Sequence, residues 1–126
     1  MRLLLDSHVA LWWLNDDPQL GTRARAAIVD ADQVYVSAVT PWELGIKRAL
    51  GKLSFPAGLT ALVIEQGFES LPVRSEHAER APELPPHHRD PFDRMLLAQA
   101  ELEQLRIVTA DEQFEAYGVD LLAARS

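Results

Sequence analysis

The stretch HHRDPFDRMLLAQA, residues 87–100, sets Asp90 and Asp93 either side of a proline and a phenylalanine at the start of an apolar, helix-like run. Three more acids hold comparable places. Asp6 directly follows the apolar run Leu3-Leu4-Leu5, Glu43 lies near the start of TPWELGIKRAL, and Asp111 follows RIVT by two residues. Each has a local explanation. Thr40 and Asp90 suit N-cap positions, Pro41 and Pro91 suit the first helical position, and Glu43 is then a capping-box acid. In TADE, residues 109–112, Thr109 or Asp111 can cap, and Asp6-Ser7 can cap HVALWWL. Taken singly, each acid reads as a helix-start device.

Taken together they read differently. Carboxylates gathered within ~5 Å repel by roughly 3 kcal/mol per pair at an effective dielectric near 20. A fold that collects them needs a cation, and oxygen-only ligands favour Mg²⁺ or Mn²⁺ over zinc. Spacing alone does not choose between caps and ligands.

The elements that must position these acids alternate. Short apolar runs at 3–5, 34–36, 68–73, 106–109 and 119–122 predict strands. Helical patterns cover 8–14, 22–31, 40–50, 57–66, 76–81, 91–104 and 112–117, with Gly51 suited to close the third. The strand runs lack polar alternation, as expected for strands buried on both faces. The fold class expected is therefore α/β, a mostly parallel sheet between helices, in one domain spanning 1–126. Such sheets bind ligands beyond the carboxyl ends of their strands. Asp6, Glu43 and Asp111 fall near such ends, and Asp93 opens the helix that leads into the fourth strand.

The chain has 126 residues, no cysteine, and a net charge of −7 from 19 acids and 12 bases. This balance argues against a general basic surface for nucleic acid, although a local basic strip remains compatible. Disulfides and thiolate metal sites are excluded. No stretch approaches the ~20 apolar residues of a membrane span, so a soluble cytoplasmic protein is expected. Lys47, Arg48 and Lys52 follow Glu43, and Arg89 and Arg94 flank the other acids. These residues could meet phosphates, with a solvated helix face the plainer reading for Lys52. His87 and His88 are expected as solvent-exposed loop residues, and Trp12 and Trp13 as core or partner contacts.

LLLDSHVALWWL, SAVTPWELGIKRALGKL, HHRDPFDRMLLAQA and IVTADEQF, in this order, resemble the successive motifs of PIN-domain proteins, most closely the VapC toxins of bacterial toxin–antitoxin pairs. The resemblance runs from Met1 to about Val119. It implies a three-layer α/β/α fold and a metal-dependent ribonuclease whose acidic pocket holds Mg²⁺ or Mn²⁺. By position, Asp6, Glu43, Asp93 and Asp111 match the family's acid set. Ser7 matches the hydroxyl residue that supports it, and Thr109 and Asp90 are further supporting residues. The implied partners are an RNA substrate, a small VapB-like antitoxin, and a second copy in a homodimer within a larger toxin–antitoxin assembly. The alternative is a PIN domain kept as a non-catalytic RNA- or protein-binding module, and the presence of all four acids argues against it. A phosphoreceiver domain would need paired acids after the first strand and a late lysine, and a haloacid-dehalogenase phosphatase would need Asp-x-Asp there. The chain has Asp6-Ser7-His8 and no lysine after Lys52.

Overall fold

The computed structural model describes residues 1–126. Five parallel strands, β1 (Arg2–Leu5), β2 (Gln33–Ser37), β3 (Glu69–Leu71), β4 (Arg106–Thr109) and β5 (Leu121–Ala123), form one sheet in the order β3-β2-β1-β4-β5. In the registers Leu5↔Val36 and Leu5↔Val108, the first strand lies at the centre of the sheet. Six helices connect the strands: α1 (Ser7–Leu14), α2 (Thr22–Asp30), α3 (Val39–Ala49), α4 (Leu59–Glu65), α5 (Ser75–Arg80) and α6 (Pro91–Glu103). Two 3₁₀ segments, Ala81–Glu83 and Glu112–Tyr117, complete the chain.

Side-chain alternation along each strand makes the layers. Leu3 and Leu5, with Val34, Val36 and Val108, pack against Val9 and Leu11 of α1, Ala24 and Ile28 of α2 and Val63 of α4. Leu4 and Ile107 point the other way, onto Leu96, Leu97 and Ala100 of α6, with Ala81, Leu84 and Phe114. The sheet is therefore buried on both faces, which is why its strands read as unbroken apolar runs. This is the expected α/β/α sandwich. No helix is long and apolar enough to cross a membrane.

Boundaries moved where tertiary partners overrode local sequence. β3 keeps only three of the six residues expected, and the last strand begins at Leu121 instead of Val119. Gly118, in the left-handed region at φ 68°, ends the preceding 3₁₀ segment, and the pairing Thr109↔Ala123 sets the register of β5. α4 starts at Leu59, after Gly58 at φ 80°.

β5 leads the chain back across the start of α2. Gly21 N–H donates to the Ala124 carbonyl at 2.8 Å, and the Arg23 and Ala24 N–H groups donate to the Ser126 oxygen at 3.0 and 3.2 Å. Two of the unpaired donors of this helix start are thus satisfied by distant backbone. A Cβ on Gly21 would lie 2.1 Å from the Ser126 oxygen and 2.6 Å from the Arg125 carbonyl. Gly21→Ala should therefore cost about 1–3 kcal/mol. A thermal melt should show a midpoint lowered by several degrees, and an unchanged midpoint would contradict the close crossing.

Candidate functional site

The carboxyl ends of β2, β1 and β4 lie side by side, so the residues that follow them converge. Asp6 comes straight off β1 and caps α1, its Oδ1 accepting from Val9 N–H at 2.8 Å. Its Oδ2 accepts from the Thr109 hydroxyl at 2.5 Å. That hydroxyl also accepts from Asp111 N–H at 3.0 Å, so Thr109 at the end of β4 ties the first acid to the fourth. Asp111 in turn caps the following 3₁₀ segment, its Oδ1 accepting from Gln113 N–H at 2.9 Å. Cap and pocket position are therefore not alternatives for Asp6 and Asp111, because one oxygen of each serves the helix and the other faces its neighbours.

Glu43 is buried on α3. Its Oε1 accepts from the Ser7 hydroxyl at 2.7 Å and its Oε2 from the Lys47 ammonium at 3.0 Å. The single Ser7 hydrogen is spent on Glu43, so the Thr40 hydroxyl, 3.2 Å away, is the donor to Ser7. The capping-box reading of TPWE fails. α3 begins at Val39 with Ala38 as its N-cap residue, and Thr40 is fully buried in the first turn. Ala38 N–H is taken by the Leu71 carbonyl at 2.8 Å, and the Ser37 hydroxyl accepts from Val39 N–H at 3.2 Å, which turns the chain into the helix earlier. Thr40 and Glu43 are freed for the pocket.

DPFD keeps the expected grammar. Asp90 is the N-cap of α6, and its Oδ1 accepts from the Phe92 and Asp93 N–H groups at 2.8 and 3.3 Å. Asp93, in the first turn of α6, points its carboxylate at a residue expected elsewhere. His88 is not an exposed loop residue: its ring is buried, with Nε2 3.0 Å from Asp93 Oδ2 and 2.9 Å from Asp111 Oδ2. His87 is exposed, as expected, with its ring edge-on to Tyr117.

The basic residues divide. Arg94 is not available to phosphates, because its guanidinium donates to the carbonyls of Ala81, Pro82, Leu84, Pro85 and His88 at 2.6–3.3 Å, bracing the loop that carries His88. Lys47 is half-exposed but paired with Glu43. Arg48 is exposed, stacked 4.8 Å over the Phe55 ring. Lys52 and Arg89 are exposed, and neither has an ion-pair partner. Trp12 and Trp13 pack against the core as half-buried residues, with Trp13 Nε1 donating to Gln66.

The electrostatics record what gathering these acids costs. Burial pushes the Asp6 carboxyl above its usual range, against the Thr109 and Val9 hydrogen bonds that favour its charge, and the Asp111 charge pushes it further. Asp93 is pushed up to about 7, first by burial and then by Asp90, with Glu43 and Asp6 adding to it against His88. Lys47 and the His88 ring are the only basic side chains in hydrogen-bond contact with the set. An oxygen-rich cluster this short of positive charge suits a hard divalent cation.

Comparisons with known proteins agree with this architecture. The PIN domain family model matches residues 3–120. Ribonuclease VapC22 of Mycobacterium tuberculosis is 30% identical over 118 residues, covering 91% of each chain. Among solved structures, a chain of the VapBC2 complex of Rickettsia felis, crystallised on a DNA fragment from its promoter, superposes with TM-score 0.70 at 14% identity, covering 97% of this chain and 98% of that one. A chain of a toxin–antitoxin complex from Klebsiella pneumoniae superposes with TM-score 0.67 at 18% identity, covering 97% of each.

Proposed function

Since the chain belongs to the PIN-domain family, we propose that it is a metal-dependent endoribonuclease serving as the toxin of a toxin–antitoxin pair. A ribonuclease relative matched along nearly its whole length supports the activity. The supporting observation within the chain is the convergence of Asp6, Glu43 and Asp111, beyond the carboxyl ends of parallel strands, with Asp93 at the start of α6, Lys47 and His88 being the only basic side chains hydrogen-bonded to the set.

In this reading the four acids hold Mg²⁺ or Mn²⁺. A divalent ion there supplies a polarised phosphoryl oxygen and a water acidic enough to attack phosphorus. The remaining residues prepare the ligands. Ser7 orients Glu43, Thr109 orients Asp6 and positions the Asp111 backbone, and Asp90 sets the start of the helix that aims Asp93. Exposed Arg48 and Arg89 are free to meet RNA phosphates, and Lys47 can do so only by leaving Glu43. The antitoxin is the protein partner. Trp42 and Ile46 on α3 and Leu50, its C-cap residue, are spaced four apart and 64%, 39% and 64% exposed, and form an apolar stripe suited to a protein contact.

The purified chain should cleave RNA with Mg²⁺ or Mn²⁺, stop in excess EDTA, and recover when the ion is restored. Expressed alone it should arrest growth, and Asp6→Ala should relieve the arrest. Cleavage that persists in EDTA would remove the metal mechanism, and arrest that survives Asp6→Ala would remove the catalytic one.

A further inference from the structure

His88 is held on every side. Its N–H donates to the Tyr117 hydroxyl at 2.6 Å, and that hydroxyl donates to the Pro85 carbonyl at 2.7 Å. Its carbonyl accepts from Arg94 at 3.0 Å, and its ring packs on Phe114 with centroids 5.6 Å apart. Nδ1 accepts from Asp90 N–H at 3.2 Å, while Nε2 faces the Asp93 and Asp111 carboxylates.

The Nδ1 contact decides where the ring hydrogen lies. A backbone N–H can only donate, so Nδ1 presents its lone pair and the hydrogen belongs on Nε2, an assignment made from the hydrogen-bond network. A nitrogen in that state has no lone pair for a metal. Distance alone does not separate the two roles. His88 Nε2 and the two carboxylate oxygens lie within 4.8 Å of one another. The 2.9 Å contact to Asp111 is a hydrogen bond and Asp93 lies 3.0 Å from the same nitrogen, and both separations also fit neighbouring ligands of an octahedral ion bound at about 2.1 Å. The hydrogen inventory separates them.

We propose that His88 is a positioning residue whose Nε2–H is given to Asp111 while the same nitrogen faces Asp93 at 3.0 Å, holding the two carboxylates in one register without ligating the ion. The N-cap residue Asp90 then has two jobs. Its side chain serves α6, and its N–H, not used by the helix, selects the His88 tautomer. The inference rests on the metal-site reading above, and outer partners of this kind typically change metal affinity 10–100-fold when removed.

Long-range nitrogen–proton spectra of the imidazole, recorded on the full chain before and during Mg²⁺ titration, test it. Nε2 should carry the hydrogen and Nδ1 should not, in both states, while the Asp93 and Asp111 amides respond to the ion. His88→Ala should weaken Mg²⁺ binding about 10–100-fold, and His88→Gln, which keeps an N–H donor, should recover most of that loss. A hydrogen on Nδ1 in the metal-free protein overturns the clamp, and so does a hydrogen that moves from Nε2 to Nδ1 as Mg²⁺ binds. If no acid responds to Mg²⁺ or Mn²⁺, the metal reading falls instead, and the metal-free spectrum alone still decides the clamp.

Discussion

Asp93→Asn should abolish cleavage, by about a thousandfold or more, and at the same time make the metal-free fold harder to melt at pH 8. The first effect follows if, as proposed, Asp93 is a charged ligand at the reacting centre. The second follows from linkage. Asp93 is raised from 3.8 to about 7 in the folded chain, so between those values the fold holds a proton that the unfolded chain has released. That stabilisation is complete below about pH 4 and is lost as pH rises through 7. Asparagine never ionises and escapes the loss. Because the carboxylate keeps some contact with water and a charge at a helix start is worth a few tenths of a kcal/mol, the expected gain at pH 8 is about 1–2 kcal/mol. This is roughly 3–8 °C in melting temperature. The gain should vanish at pH 4, and Mg²⁺ should stabilise the wild type but not the variant. Asp90→Asn is the control. Asparagine caps as well as aspartate, the N–H to His88 remains, and activity should stay within a few-fold. Equal losses in the two variants would show the division of roles between them to be wrong.

Arg94→Ala should destabilise the fold by about 2–4 kcal/mol, lowering the melting temperature by roughly 8–16 °C, because hydrogen bonds to a charged group are worth about 1.5–3 kcal/mol. Arg94 spans carbonyls from Ala81 to His88 with two nitrogens of one rigid fork. Lysine has a single point of donation, so Arg94→Lys should restore little of the loss. Arg89→Ala, at an exposed position with no ion pair, should melt within about 0.5 kcal/mol of the wild type. A lysine variant with wild-type stability would mean that the brace is not what holds the loop.

Most of the layering was legible because the sheet is buried on both faces and its strands advertise it. Leu3-Leu4-Leu5 reads as a short strand buried on both faces, and Asp6 directly follows it. The acids stand out by their places relative to strands and helix starts, but spacing leaves cap and ligand open, and only the family resemblance separates Asp93 from Asp90. His88 does not stand out. Nothing local marks it as buried, since its surroundings come from Tyr117, Arg94, Phe114 and Asp111, three of them more than twenty residues away. Thr40 departs from its expected cap for a related reason. TPWE has the letters of a cap, but β3 and Ser37 take the backbone donors first, and the helix starts before Thr40 can cap it. Arg94 reads as an RNA contact in the sequence because its charge says nothing about which carbonyls surround it.

The compression of residues 90–94 bears on how tolerance maps of this protein would look. Asp90 caps a helix and orients an imidazole, Phe92 meets Trp42 edge-on across to α3 at 4.9 Å, Asp93 enters the acid set, and Arg94 braces a loop. A saturation screen scored on toxicity would report this segment as nearly uniformly intolerant. It would suggest a larger reactive centre than the one carboxylate the segment contributes. Scored on ion affinity at a temperature where every variant is folded, the same library should collapse to a sharp loss at 93 with shallow shoulders on either side.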